Sequence, residues 1–338
     1  MAARPQQRGR VLGGGMARRT ARRAGLATVA GMVCLVLASC AKTESSEGDD
    51  WRAELKTVKM AVSGNNDDPQ IVRRRDVYRT YLTEALGVPV RLYEAADFNG
   101  VIQAVSSGQV DIAAIAGGGY ANVDAQVGDK VAPMLTLRQA EGETGYYSAL
   151  VVRADSPVKS LADMRGRTLG YVDYNSTSGY LYPRAAMRRQ GIDPDAFFGR
   201  TSFAGAHTQA VMALANGQFE ATILQVSGGT PETGFTRGPL RTLSREGMID
   251  IDDFRIVWTA GPIPSEAMIT RTDRPQAMID LARGALAALP YDRPELWPEI
   301  GQLEGSAYTA IDREHYREII ELRKAELAQR RSGTGRPQ

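Results

Sequence analysis

The sequence predicts an α/β protein of two lobes joined by two crossovers, with a ligand cleft between them. Two observations carry this. Short apolar runs that read as strands alternate with helical runs over most of the chain. Such alternation implies parallel sheets with helices on their faces. The pattern also changes near residue 148 and again near 261. The first lobe, residues 56–147 and 261–330, is therefore interrupted by the second, residues 148–260. A chain that crosses twice in this way forms a hinge, and the cleft it leaves is the default ligand site.

The elements follow in order. Residues 58–62 form a first strand. Pro69 opens a helix to Leu86, with Ile71, Val77, Tyr78, Tyr81, Leu82 and Leu86 at helical spacing and Gly87 as its stop. Residues 88–93 are a second strand, 98–107 a helix stopped by Gly108, and 110–116 a third strand. The second lobe begins with strand 148–152, short helix 160–164, strand 168–172 and a helix from about Ser178 to Gln190. Strand-like residues 201–203, helix 207–216 closed by Gly217, and strand 219–224 come next. Strands 256–259 and 267–270 precede helices 275–289 and 313–328, and 331–338 is a frayed tail.

The N-terminus stands apart. Arg4, Arg8, Arg10, Arg18, Arg19, Arg22 and Arg23 precede the first acidic residue, Glu44. A mostly apolar run, 25–38, then leads to Ser39 and Cys40. Basic, apolar and small residues in that order read as a signal peptide over 1–39. The run is shorter than the ~20 residues of a spanning helix. Leu37-Ala38-Ser39-Cys40 resembles the bacterial lipobox, which implies lipid on Cys40 and a membrane-anchored position outside the cytoplasmic membrane. Residues 40–55 suit a flexible tether. Met16 is an alternative start, and Arg22-Arg23 hints at a twin-arginine signal whose neighbours match poorly.

Cys34 and Cys40 are the only cysteines. No disulfide or thiolate metal site is expected in the mature domain. The formal charge of +2 becomes −5 once the seven arginines are removed. A mildly acidic chain has no general affinity for nucleic acid, so an anion needs a local site.

One run carries chemistry: Gly170-Tyr171-Val172-Asp173-Tyr174-Asn175-Ser176-Thr177-Ser178-Gly179-Tyr180-Leu181. It is a strand, a turn and a hydroxyl cluster at a helix start. The first N–H groups of a helix lack internal partners, and the aligned dipoles place roughly +0.5 charge there. Ser176, Thr177 and Ser178 add hydroxyl donors, which makes a cradle for a compact oxyanion. The same residues also read as ordinary N-caps, and both readings stand on these residues alone. His207, one of two histidines with His315, reads alone as a surface or core residue. Tyr120 and Tyr146 read alone as core aromatics.

Asn175 to Leu181, followed by Pro183, resembles the signature of phosphonate/phosphite-type binding proteins of ABC importers, which have the type II periplasmic-binding fold. Matching segments recur in order at 97–103, 108–113, 145–152, 206–207 with 215–218, and 263–266. The likeness runs from about Lys59 to Ala328. It implies that Ser176, Thr177 and Ser178 bind phosphoryl oxygens and that His207 and Tyr146 donate further hydrogen bonds. Tyr120, after Gly117-Gly118-Gly119, would stand in the cleft, and Phe98 and Glu266 would close over the ligand with it. The resemblance further implies a monomer that closes on a small phosphorus oxyanion, an ABC permease and ATPase as partners, no cofactor and no bound metal.

Three positions depart from the best-known aminophosphonate binders of that family. Phe98 replaces a tyrosine, Glu266 an aspartate, and Val226-Ser227-Gly228-Gly229 stands where a second carboxylate is expected. Those carboxylates receive the ligand's ammonium, so the departures imply a ligand without an amine: phosphite, a methylphosphonate-like compound or phosphate. Glu266 would accept a hydrogen bond from its P–OH. Catalysis lacks its parts: there is no cysteine nucleophile, histidine cluster or metal spacing, and no carboxylate placed to orient His207 beside Ser176. A ligand sensor for a membrane signalling partner would use the same pocket. Neighbouring genes for a permease and an ATPase would separate it from transport.

Overall fold

The computed structural model describes residues 51–63, 69–299 and 305–332. The expected signal peptide, Cys40 and residues 333–338 lie outside them. One expectation is corrected at the first described residues. Residues 51–55 are not tether but a helix, α1 (Trp51–Leu55). Trp51 is buried in a cluster with Leu82, Leu86 and Val88, and Arg52 Nε donates to Leu86 O at 2.9 Å. Burying an indole outweighs the freedom a tether would keep.

The first lobe starts with β1 (Val58–Ser63), α2 (Pro69–Leu86), β2 (Val90–Ala95), α3 (Phe98–Ser106), β3 (Ile112–Ile115), α4 (Gly117–Val127) and β4 (Val131–Arg138). The second lobe contains β5 (Gly145–Arg153) and β6 (Thr168–Tyr171), then a π-helical turn (Thr177–Leu181) that continues into α5 (Tyr182–Arg189). It goes on through α6 (Pro194–Phe197), β7 (Arg200–Phe203), α7 (His207–Ala215), β8 (Ala221–Val226), α8 (Pro239–Arg245) and β9 (Phe254–Pro264). The chain returns to the first lobe with β10 (Ala267–Arg271), α9 (Gln276–Asp292), α10 (Leu296–Glu299), β11 (Ala307–Ala310) and α11 (Arg317–Arg331).

Two sheets result, in the orders β11-β4-β10-β3-β1-β2 and β7-β6-β8-β5-β9. β1 pairs in parallel with β2 and β3, as the strand–helix alternation predicts. β10 is antiparallel to β3 and β4, because it enters from the other lobe. In the second sheet β6 is parallel to β7 and β8, while β5 is antiparallel to β8 and β9. The two crossings run side by side: Gly145 opposes Pro264, and Ser265 N donates to Thr144 O at 2.8 Å. β4 and β11 are additions to the sequence reading. None of the β4 residues is exposed, and Pro133 inside its apolar run argues against a strand.

The last helix ties the lobes together. α11 packs on α4 in the first lobe and on α5 and the π turn in the second. Its Arg323, fully buried, donates from Nη2 to Tyr174 O at 3.0 Å. Tyr180 Oη donates to Glu326 Oε1 at 2.8 Å. The turn that precedes the hydroxyl run is therefore braced from behind.

Candidate functional site

The hydroxyl run sits where β6 ends and the next helix begins. Asp173 shapes the turn: its Oδ1 accepts from Asn175 N at 2.7 Å, and its carbonyl accepts from Ser176 N at 3.0 Å. Ser176 is the N-cap, and its Oγ accepts from Gly179 N at 3.0 Å. Capping, the plainer reading of this residue, is thus observed, and it does not exclude the other. Thr177 Oγ1 accepts from Gly118 N, in the first turn of α4, at 2.7 Å. Ser148 Oγ donates to the Ser178 carbonyl at 2.8 Å. Leu181 N reaches back to Ser176 O at 3.1 Å, the wide spacing of a π turn, a feature that recurs at functional sites.

These bonds fix the sense of the hydroxyls. Ser176 and Thr177 each accept from a backbone N–H, so their O–H groups are left to donate. The amides of Thr177 and Ser178 lie in the first helical turn and have no intrahelical acceptor. The Tyr146 phenol lies beside the Ser178 and Thr177 hydroxyls, and burial raises its pKa, so it too stays a donor. His207 heads α7 and accepts from Gln225 N through Nδ1 at 3.4 Å. A neutral imidazole in that arrangement carries its proton on Nε2 and donates from there.

Desolvation pulls the His207 pKa from 6.5 down to about 4; the ring is half-buried, and water on its open side moderates the shift. The folded chain therefore refuses a proton that the unfolded chain takes up between pH about 6.5 and 4, so this residue costs stability as pH falls through that window. His207→Gln is expected to flatten the decline in unfolding free energy between pH 6.5 and 5. Identical declines in both proteins, followed by urea unfolding, would contradict the assignment.

Seven of the eight predicted residues come together. Phe98, Tyr146, Ser176, Thr177, Ser178, His207 and Glu266 line one cavity of about 550 Å³ between the lobes. Phe98 begins α3, whose cap Asp97 accepts from Gly100 N at 2.8 Å, and it packs against the second lobe's apolar cluster. Glu266 opens onto the cavity from the return crossing. Surrounding protein raises its pKa by desolvation; the residue is exposed, and water on its open side moderates the shift. A second hollow of about 500 Å³, on the second lobe beside β9 and α8, adjoins the cavity, shares Gln225, Val226, Arg237, Gly238 and Pro239 with it, and holds none of the predicted residues.

Tyr120 is the exception and corrects the expectation placed on it. It is fully buried, stacked edge-on against Tyr316 at 5.4 Å, and absent from the cavity wall. One residue of helix turns the side chain by about 100°, so Gly118 meets the second lobe while Tyr120 faces α11. The first lobe contributes the Gly118 amide at this point rather than a phenol. Sequence reasoning missed Arg237, Gln139, Gln225 and Tyr308, which also line the cavity. Arg237 had one legible signal, Gly238-Pro239 directly after it, which marks a helix start. Among the described residues no three His, Cys, Asp or Glu side chains group as metal ligands.

A family model described as "ABC transporter, phosphonate, periplasmic substrate-binding protein" matches residues 60–316. The chain is 29% identical over 205 residues to the "Phosphate-import protein PhnD" of Mycolicibacterium smegmatis, a match covering 58% of this chain and 63% of that protein. It is 30% identical over 197 residues to the "Phosphonates-binding periplasmic protein" of Escherichia coli, covering 56% and 53%. The chain thus spans less than two thirds of the length of these curated relatives. The structure of PhnD1 from Prochlorococcus marinus, solved in complex with methylphosphonate, superposes with a TM-score of 0.64 at 12% identity, covering 83% of this chain and 99% of that one. At that identity the likeness is one of fold.

Proposed function

The chain belongs to the periplasmic substrate-binding proteins of ABC phosphonate transporters, and from that premise we propose that it captures a small phosphorus oxyanion without an amine and hands it to an ABC importer. Phosphite, a methylphosphonate-like compound and phosphate are the candidates. The observation that carries this reading is the supply of donors at the site: the Ser176 and Thr177 hydroxyls each accept from a backbone amide and keep their O–H to donate, with Tyr146 and His207 as further donors beside them. A converging set of donors at a helix start suits an oxyanion. Glu266, with its raised pKa, is suited to share a proton with a P–OH group. The name of the Mycolicibacterium smegmatis relative, a phosphate-import protein, supports an amine-free ligand.

The same proposal includes a lipid anchor on Cys40, a monomer, and closure of the lobe 56–147 with 261–330 onto the lobe 148–260. Ligand contacts from both lobes favour the closed form over the open one. Gly118 tests the idea that the lobes meet at the oxyanion turn. A Cβ there would stand 2.8 Å from Asn175 O and 3.1 Å from Thr177 Oγ1. Gly118→Ala is expected to weaken methylphosphonate binding about tenfold, within the ~1–3 kcal/mol that overpacking costs. Unchanged affinity in a calorimetric titration would contradict the contact's role. A competition experiment tests the ligand class: 2-aminoethylphosphonate at equal concentration should fail to displace methylphosphonate, and displacement would point to an amine-bearing ligand.

A further inference from the structure

We propose that Arg237 reads the ligand's substituent, so that the cleft favours a phosphonate whose organic arm ends in a carboxylate over one ending in a methyl or an ammonium group. This rests on the oxyanion reading above. The cavity, about 550 Å³, is larger than a bare oxyanion fills and leaves room for an arm. Arg237 is the only lysine or arginine lining it among the described residues.

Its position is built. Ser227 and Arg237 exchange backbone hydrogen bonds at 3.2 and 3.0 Å, which folds the strap 227–237 back on itself at the end of β8. A Cβ at Gly228 would stand 2.8 Å from Arg237 Nε and 3.0 Å from Cζ, so the missing side chain there lets the guanidinium lie down. Glu141, in the turn between β4 and β5, holds Nη2 through Oε2 at 3.0 Å. The Glu141 side chain is 49% exposed, and water screens its charge. Arg237 Nε is buried and has no hydrogen-bond partner among the described residues.

A guanidinium fixed at one end and unsatisfied at another is prepared for a second planar acceptor. A ligand carboxylate would supply it. A methyl group leaves the buried N–H unpaired, and an ammonium group meets a like charge. The oxyanion end stays with the hydroxyl run, and the arm runs toward Arg237.

The test is calorimetric titration of the purified full chain, wild type and Arg237→Gln, with phosphonoacetate, methylphosphonate and 2-aminoethylphosphonate. In the wild type phosphonoacetate is expected to bind about tenfold tighter than methylphosphonate, the range of one charge-assisted bond. Arg237→Gln is expected to bring that ratio to about one. Glu141→Gln, which frees the guanidinium, should preserve or enlarge the ratio; its loss would overturn the proposal. Equal wild-type affinity for phosphonoacetate and methylphosphonate overturns the role of Arg237 and leaves the oxyanion reading standing. A uniform loss across the three ligands in Arg237→Gln, with the ratio kept, overturns it too and reduces Arg237 to a clamp. Failure of all three to bind the wild type overturns the proposal, and the oxyanion reading then stands or falls on phosphite and phosphate.

Discussion

Ser176→Ala combined with Thr177→Ala is expected to weaken oxyanion binding by about 100-fold or more, since a hydrogen bond to a charged group contributes ~1.5–3 kcal/mol and two are lost. The effect is large because each hydroxyl is held in place by a backbone N–H, from Gly179 or Gly118, and keeps its O–H to donate to the ligand. The same change removes a helix cap, worth ~1 kcal/mol, so the unfolding free energy should fall as well. Thr177→Ala separates the two effects, because the cap is Ser176, and Thr177→Ser is its control. It keeps the hydroxyl and should recover most of the affinity lost by Thr177→Ala. If the double variant bound methylphosphonate as the wild type does, the turn would be a cap and nothing more.

Trp51→Ala is expected to destabilise the protein by about 3–5 kcal/mol, the usual cost of truncating a buried tryptophan. Trp51 is 2% exposed and sits against α2 with Leu82 and Leu86. A residue in a free tether would change stability by no more than ~0.5 kcal/mol. Urea unfolding distinguishes these outcomes. Ligand affinity of the folded protein should be unaffected, because α1 lies in the first lobe's second cluster and not on the cavity wall.

The parts of the fold that were legible in the sequence share a physical feature: their apolar spacing declares its own period. The helix from Pro69 to Leu86 and the parallel strands β1, β2 and β3 are of this kind. The two-lobed type II periplasmic-binding architecture followed from those elements and the family signature together. β4 was illegible because Pro133 interrupts its apolar run, and a proline within a run argues against a strand. α1 was illegible because one tryptophan follows a polar stretch, and only the tertiary contact with α2 gives it a place.

The site divides in the same way. The hydroxyl run could be read because strand, turn and helix start are contiguous, and the donors lie within three residues. Tyr120 was misplaced because neighbouring helical residues face different ways, and Gly118, not the phenol, faces the second lobe. Arg237 was invisible because its place is set by hydrogen bonds with Ser227 and by Glu141, 96 positions away in the chain. Its one local signal, the helix start at Gly238-Pro239, says nothing of the cleft.

The most direct test of the central claim is titration calorimetry of the purified wild-type protein with phosphite, phosphate, methylphosphonate and 2-aminoethylphosphonate. At least one amine-free oxyanion is expected to bind with Kd of about 1 μM or tighter and at least about tenfold more tightly than the amine-bearing compound. Tighter binding of 2-aminoethylphosphonate, or heatless titrations with all four and no change in thermal unfolding, would contradict it.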